Sequence, residues 1–195
     1  MKKLNVIVLG FALVLSYQCK EAKKEIKDEA DETQETMDMA KEEMSEKTIS
    51  FNMEPKSNSN VKGEVTFTEK DSMVIMKAEL TGLTEGEHAI HLHEKADCSA
   101  DDGTSTGGHW NPTSEPHGKW GDEAGYHKGD IGNFTADAEG NAIVEFSTDL
   151  WCIGCDDPNR NILGKAVIVH EGVDDFTTQP TGDAGGRISC TGIIE

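Results

Sequence analysis

Histidines are the residues of this sequence most suited to chemistry. The segment GEHAIHLHE, residues 86–94, contains His88, His91 and His93, and all seven histidines lie between residues 88 and 170. Side chains two apart on a β-strand share a face, so His91 and His93 can bind one ion together. His88, three residues before His91, points to the opposite face of a regular strand and is not expected to join them.

A second group of candidate ligands follows this HxH pair and consists of three imidazoles and one carboxylate: His109, His117, His127 and Asp130. This combination suits Zn²⁺ in closed tetrahedral geometry. His170 ends the run KAVIVH and can join His91 and His93 in an all-imidazole set, which suits copper. Two four-ligand sites require one shared residue, and an imidazole can bridge two metals through its two ring nitrogens.

The HxH pair by itself is compatible with several protein classes, because zinc hydrolases, cupins and copper proteins all use it. The DH pair that follows HxH in metallo-hydrolases is absent here. Glu94 follows His93 too closely for the usual cupin spacing. The other candidate ligands therefore discriminate better than the pair does.

Short alternating runs of apolar and polar residues must position these side chains. They begin at Thr48 and include VKGEVTFTE, MVIMKAEL, NAIVEFS and GRISCTGII, separated by Gly, Asn and Asp clusters. Such runs predict an antiparallel β-sandwich or barrel. Residues 94 to about 130 and residues 171–186 lack a strand pattern. A loop as long as the first is usually functional, and it contains most of the candidate ligands.

The first 47 residues differ from the rest in composition. Two lysines, an apolar run and then Cys19 indicate a signal peptide of the lipoprotein type over 1–18, with Cys19 as the lipid attachment site. The alternative is an ordinary cleaved signal that leaves Cys19 as a free thiol. Residues 19–47, rich in Glu, Asp, Lys and Ala, are predicted to be a charged tether, and residues 48–195 a single domain.

The overall charge limits the class of partner. The formal net charge is −19, from 18 basic and 37 acidic side chains, which argues against nucleic acid and against charge-driven binding to anionic lipid. The membrane is expected as a partner only through the lipid anchor at Cys19. Export would let disulfides persist, and four cysteines remain after Cys19, which permit three pairings.

Five segments, read together and in order, resemble the copper,zinc superoxide dismutase family: GLTEGEHAIHLHE, GHWNPTSEPHG, YHKGDIGNFTAD, VIVHEGVDD and TGDAGGRISCTGII. The resemblance covers about residues 48–195. It implies an all-β fold, an eight-stranded antiparallel Greek-key β-barrel or sandwich of immunoglobulin-like type with long metal-binding loops. It also implies one copper and one zinc per subunit.

The resemblance assigns a role to each matching position. Copper would be bound by His91, His93, His109 and His170, and zinc by His109, His117, His127 and Asp130. His109 would bridge the two metals and supply a proton, and Arg187 would attract the anionic substrate. His88 would buttress the site without binding metal, and Asp174 would link His91 to His117.

The family's disulfide would fall on Cys98 and Cys190. That leaves Cys152 and Cys155 in DLWCIGCDDPNRN, an insertion that the common family pattern lacks. A CxxC motif can be a redox-active pair or half of a zinc site. We expect a local structural disulfide, because export is expected and no other cysteine is free.

The implied function is dismutation of superoxide to O₂ and H₂O₂ in the cell envelope of a bacterium, in the periplasm or on the outer surface, as protection against oxidative stress. The alternative is a copper-binding or storage module of the same fold without turnover. A zinc hydrolase built on the HxH pair is a third candidate, but it gives Arg187 no role. The sequence leaves the oligomeric state open, with a homodimer as one alternative. Electrostatic steering is predicted to be weak unless Lys119, Lys128 or Lys165 folds over the site.

Overall fold

The computed structural model describes residues 46–195. The predicted signal peptide, Cys19 and all of the predicted tether except its last two residues lie outside this part of the chain. Strand β1 begins at Lys47, one residue before the predicted start of the domain. Within residues 46–195, no helix has the length and apolar character needed to cross a membrane.

Eight β-strands make up the regular structure of the described residues, together with one short 3-10 turn at Thr104–Thr106. The strands are β1 (Lys47–Pro55), β2 (Lys62–Lys70), β3 (Met73–Thr81), β4 (Gly86–His93), β5 (Gly132–Ala136), β6 (Ala142–Thr148), β7 (Ala166–His170) and β8 (Arg187–Gly192).

All strand pairings are antiparallel, in the order β5-β4-β7-β8-β1-β2-β3-β6. β3 and β4 follow one another in the chain but are not neighbours in the sheet, and the same holds for β6 and β7. Such crossing connections are typical of Greek-key folds. The two edge strands, β5 and β6, also contact each other, so the sheet curls into a nearly closed barrel. The predicted fold class is confirmed.

Alternation of apolar and polar residues explains which strand faces lie inside the barrel. In β3, MVIMKAELT, every second residue from Val74 to Leu80 is buried and the residues between them are exposed. β7, AVIVH, is buried throughout because both of its faces are covered. Burying the β3 side chains that point inward contributes roughly 1.5–3 kcal/mol for each large one.

Three long connections lie outside the barrel wall. The ligand loop (residues 94–131) joins β4 to β5, the CxxC loop (residues 149–165) joins β6 to β7, and a third loop (residues 171–186) joins β7 to β8. The first and third match the two regions predicted to lack strands. The CxxC loop was not predicted as a separate region without strands.

Two disulfides secure the ligand loop and the CxxC loop. Cys98 of the ligand loop is bonded to Cys190 of β8, with 6.0 Å between their α-carbons. Cys152 and Cys155 are bonded to each other within the CxxC loop. Of the three pairings that four cysteines permit, the structure contains the one that gives a long-range bridge and a local bridge.

Candidate metal centre

Four histidines from three parts of the fold meet at one end of the barrel. β4 provides His91 and His93, the ligand loop provides His109, and the end of β7 provides His170. One ring nitrogen from each lies within 4.8 Å of the others, and all four residues are buried. β4 and β7 are paired in the sheet, with His91 opposite Ile168 and His93 opposite Ala166. Sheet pairing therefore brings together residues that are 79 positions apart in the chain.

A second group lies directly beside the first and comes entirely from the ligand loop: His109, His117, His127 and Asp130. Its four ligand atoms also lie within 4.8 Å of one another, and its residues are buried. We call this set the zinc-type group and the four histidines described first the copper-type group, after the ions that their donor atoms suit. His109 belongs to both groups. It reaches them because His93 and His109 form an isolated antiparallel bridge, which places the loop backbone against β4.

Hydrogen bonds fix which ring nitrogen is free in two imidazoles of the first group, His91 and His93. Nε2 of His91 donates to Asp174 Oδ2 at 2.9 Å, and Nδ1 of His93 donates to the Gly107 carbonyl at 2.9 Å. Carboxylate and carbonyl oxygens only accept, so these nitrogens carry the hydrogen and the opposite ring nitrogens present lone pairs. The Nε2 atoms of His93 and His170 lie 3.4 Å apart, which two lone pairs tolerate only with a cation or proton between them.

Four buried ring nitrogens have no hydrogen-bond partner among the described residues: Nδ1 of His91, Nε2 of His109, Nδ1 of His117 and Nδ1 of His127. Leaving such atoms unsatisfied costs about 1–3 kcal/mol each. They converge in the two groups rather than scattering through the core. The residues present therefore fit two metal ions, which would satisfy all four nitrogens.

The carboxylate of Asp130 shows the same convergence. Nδ1 of His117 and Nδ1 of His127 lie 2.9 and 3.2 Å from its oxygens, yet neither makes a hydrogen bond of acceptable geometry. Both nitrogens therefore lie beside Asp130 without an aligned hydrogen bond, in the group whose ligand atoms are all within 4.8 Å of one another. The backbone N–H groups of Gly118 and His127 donate to Oδ2 of Asp130 and hold the carboxylate in this orientation.

The electrostatic environment keeps three of these imidazoles, those of His93, His109 and His170, neutral, as metal ligands must be. Burial and neighbouring histidines hold the pKa of His93 and His170 well below its usual range. Burial also lowers the pKa of His109 to about 4, against an opposing hydrogen bond to Asp130.

Two carboxylates beside His117 offset the effect of burial on its pKa. Burial would lower the pKa of His117, but contacts with Asp130 and Asp174 outweigh it and raise that pKa to about 9. Burial would raise the pKa of Asp130, yet the imidazoles around it hold that pKa far below its usual range. Without metal, a protonated His117 thus supplies part of the positive charge that a bound cation would bring.

Asp174 of the third loop connects the two groups. It is buried, and its Oδ1 accepts from Nε2 of His117 at 2.8 Å while its Oδ2 accepts from Nε2 of His91. Burial would raise its pKa, but the hydrogen bonds from His117 and His91 hold it below its usual range. The ionised carboxylate therefore orients one imidazole from each group.

His88 lies outside both groups, as strand alternation predicts. It is buried and stacks on Phe134 of β5 with ring centroids 5.9 Å apart. Its Nδ1 lies 3.0 Å from the carbonyl oxygen of His170, and its Nε2 lies 2.9 Å from the carbonyl oxygen of Thr84 and 3.2 Å from the Thr84 hydroxyl. His88 therefore supports the backbone of His170 from behind.

Arg187 lies at the entrance to the first group. The entrance encloses about 200 Å³, enough for a small anion and a few water molecules, and its lining residues are His93, His109, His170, Thr181, Asp183, Ala184, Gly185 and Arg187. Three hydrogen bonds hold the guanidinium: Nη1 donates to the Gly103 carbonyl and to Oγ1 of Thr106, and Nη2 donates to the Gly107 carbonyl. Burial lowers the pKa of Arg187, which stays charged at neutral pH.

Sequence reasoning missed several residues that hold the site. Oγ1 of Thr106 is a buried acceptor for Arg187, and Gln179 makes two hydrogen bonds of 2.8 Å with the backbone of His117. Gly182 has φ of +69° and passes so close to Asp174 that a β-carbon would overlap the carboxylate. None of these has a local motif, because each contact joins segments distant in the chain.

Comparisons with known proteins agree with this geometry. The family model described as copper/zinc superoxide dismutase matches residues 61–194. An extracellular Cu-Zn superoxide dismutase of Drosophila melanogaster is 38% identical over 145 residues, covering 70% of this chain and 77% of that protein. A Cu-Zn superoxide dismutase of Caulobacter vibrioides is 39% identical over 137 residues, covering 68% of this chain and 78% of that protein.

A solved structure is also similar. It is a double mutant of a SOD-like protein from Bacillus subtilis, with a TM-score of 0.67 and 29% sequence identity. The match covers 75% of this chain and 97% of that one. The barrel described above is thus found in a protein of related sequence.

Proposed function

This chain belongs to the copper/zinc superoxide dismutase family, and we propose on that basis that its two ligand groups are the copper site and the zinc site of the enzyme. Copper would be bound by His91, His93, His109 and His170, and zinc by His109, His117, His127 and Asp130. The observation that carries the assignment is the presence of two adjacent four-ligand groups that share one imidazole.

The enzyme dismutates superoxide, and copper and zinc are its cofactors. Bound copper supplies the one-electron couple by which one superoxide is oxidised to O₂ and a second, with two protons, is reduced to H₂O₂, whereas zinc has no redox chemistry. The residues of the chain must therefore attract the anion, exclude bulk water and deliver protons.

His109 is positioned to hold a proton beside the substrate. Its Nδ1 lies 2.8 Å from Oδ1 of Asp130, and its Nε2 is buried without a partner and faces the copper-type group. Its low pKa keeps the ring neutral when nothing drives protonation. We propose that Nε2 of His109 takes up a proton and releases it to reduced oxygen during each cycle.

Arg187 would bind and orient superoxide. Its guanidinium is half-buried, charged and fixed by three acceptors, so it loses little side-chain entropy when an anion arrives. The Ile168 and Arg187 side chains border Gly103.

The assignment can be tested by removing one ligand at a time from the full-length holoprotein and measuring bound metals. His91→Ala should lose copper and superoxide dismutation and keep zinc, whereas His127→Ala should lose zinc first. His88→Ala is the control, because it removes a buried imidazole that supports the site but binds no metal in this assignment. Loss of copper from His88→Ala with retention in His91→Ala would contradict the assignment.

We also propose that the enzyme works outside the cytoplasm, anchored by lipid at Cys19. Support comes from the signal-like residues 1–18, from two disulfides in the described domain and from the extracellular relative. Labelling of cells with palmitate should mark the wild-type chain and not Cys19→Ala. Equal labelling of both chains would contradict the anchor.

A further inference from the structure

A cluster of aromatic side chains, the aromatic cluster, connects the CxxC loop to the zinc-type group. Its members are Phe67, Trp120, Tyr126, Phe146 and Trp151. Trp120 and Tyr126 belong to the ligand loop and lie between His117 and His127 in the chain. Trp120 packs edge-on against Phe146 at 4.8 Å and against Trp151 at 6.0 Å between ring centroids.

Trp151 also makes a direct hydrogen bond to the turn that carries two ligands. Its indole Nε1–H donates to the carbonyl of Lys128 at 2.8 Å. Lys128 lies between His127 and Asp130, whose backbones are joined by the bond from the Asp130 N–H to the His127 carbonyl at 3.1 Å. The Trp151 indole therefore holds the middle of the turn formed by residues 127–130.

The CxxC loop fixes Trp151 in place. Trp151 is fully buried, and the next residue, Cys152, exchanges backbone hydrogen bonds with Arg160 and Ile162 on the return part of the loop. The Cys152–Cys155 disulfide closes the bend that follows. The guanidinium of Arg160 donates to the Asp149 carbonyl at 2.7 Å and so spans the loop before the tryptophan.

We propose that Trp151 is a positioning residue for the zinc ligands His127 and Asp130, and that the CxxC loop serves to hold it there. The proposal depends on the zinc assignment made above. The peptide that joins Lys128 to Gly129 is held at two points, because its carbonyl accepts from the Trp151 indole and the Gly129 N–H donates to the Trp110 carbonyl at 2.9 Å. Loss of the indole bond leaves one of these two restraints and loosens the turn that carries both flanking ligands. Metal affinity is sensitive to groups behind the ligands, whose loss commonly costs 10–100-fold.

Trp151→Phe in the full-length holoprotein tests the proposal, because it removes the indole N–H and keeps an aromatic ring. Zinc release to an excess of chelator should be roughly tenfold faster than in the wild type, with copper retention unchanged. Co²⁺ in place of zinc gives visible absorption that reports ligand geometry, and this spectrum should change in the variant. General destabilisation would not alter the spectrum of the folded protein.

Leu80→Ala is the matched control for lost core packing. Leu80 is buried in β3 opposite Ala142, whereas the CxxC loop follows Thr148 at the other end of β6. This variant should lose stability while keeping the zinc-release rate and the Co²⁺ spectrum of the wild type.

Trp120→Leu provides a second variant, since Trp120 is only half-buried and its loss is easier for the fold to tolerate. It removes the ligand-loop ring that contacts Phe146 and Trp151 and should also speed zinc release. If both variants fold and show the zinc release and the Co²⁺ spectrum of the wild type, the proposal for Trp151 is overturned while the zinc assignment stands. A wild-type protein that binds no zinc would instead overturn the zinc assignment, and this proposal with it.

Discussion

The backbone of Gly182 lies directly against the carboxylate of Asp174, and a β-carbon at position 182 would overlap Oδ1 of that carboxylate. The same β-carbon would come within 2.6 Å of Nε2 of His117. The third loop is therefore packed onto the hydrogen bond that joins Asp174 to the zinc-type group.

Gly182→Ala should weaken both metal sites. The new methyl group must displace Asp174, which orients His91 and His117, and φ of +69° adds roughly 1–2 kcal/mol of backbone strain. Bound copper and zinc should both fall when measured after dialysis against a chelator. Gly164→Ala controls for strain, because Gly164 has φ of +81° but nothing within 4 Å of its missing β-carbon. If the two variants retain metal equally, the steric explanation is wrong.

Thr106→Val should lower activity without releasing metal. The substitution keeps the volume of the buried side chain but removes the hydroxyl that accepts from Nη1 of Arg187 at 2.9 Å. The hydroxyl also donates to the Gly103 carbonyl at 2.9 Å. We expect superoxide dismutation to slow by roughly two- to tenfold, the equivalent of the one hydrogen bond that Arg187 loses. Metal analysis and pulse radiolysis on the same sample measure both quantities. Thr104→Val, an exposed neighbour, should keep full activity.

The rate should depend weakly on ionic strength. Among the described residues lining the entrance, Arg187 is the sole cation, and Asp183 opposes its charge. Lys165 lies instead over the ring of Trp110, and Lys128 over that of Tyr126. A steep fall of the rate as salt is raised would contradict this prediction, because screening weakens an attractive field.

Asp183→Asn tests the same prediction by removing the negative charge that opposes Arg187. Removing this charge should raise the rate at low salt by about twofold, and the gain should disappear as salt screens the field. Glu139→Gln makes the same change of charge in the exposed turn between β5 and β6 and should have little effect. An equal gain in both variants would point to net charge rather than to the entrance.

The metal-free protein should lose stability as pH falls from about 6.5 to 4. Burial lowers the folded-state pKa of His93, His109 and His170, so below pH 6.5 the unfolded chain binds more protons than the folded one. His109, with a pKa of about 4, contributes on the order of 3 kcal/mol across this window. Urea unfolding of the metal-free protein at several pH values measures this loss of stability.

His117 has the opposite effect on the pH dependence of stability, and this effect falls at higher pH. Because its folded-state pKa is about 9, its contribution to the free energy of unfolding is fully present below pH 6.5 and is lost as pH rises toward 9. The metal-free protein should therefore be most stable near pH 6.5. Stability that rises steadily from pH 6.5 to 9 would show that His117 is not protonated between Asp130 and Asp174.

The sequence was sufficient to predict the fold class and to bring the ligands into two groups. Period-2 alternation separates His88 from His91 and His93, and the loop histidines stand out because their segments lack any strand pattern. The order of five segments then identified the family. Each of these signals is local, or is a sum of local signals along the chain.

What could not be predicted depends on packing between distant segments. Thr106 is an ordinary threonine until β8 places Arg187 beside it, and Gly182 is one of many glycines until the third loop folds onto Asp174. The CxxC motif alone left redox, zinc-binding and structural roles open. Its contact with the ligand loop depends on Trp151, whose indole reaches Lys128 only in the folded barrel.

The 79 residues that separate His91 from His170 also bear on the order of events during folding. β4 and β7 are paired through a Greek-key crossing, so the copper-type group does not exist until strands distant in the chain have met. Topologies dominated by such non-local contacts fold slowly. Metals that bind a finished barrel lower the free energy of the native state and leave the folding transition state unaided. We therefore expect copper and zinc to lengthen the lifetime of the folded protein by slowing its unfolding, with little effect on how fast it folds.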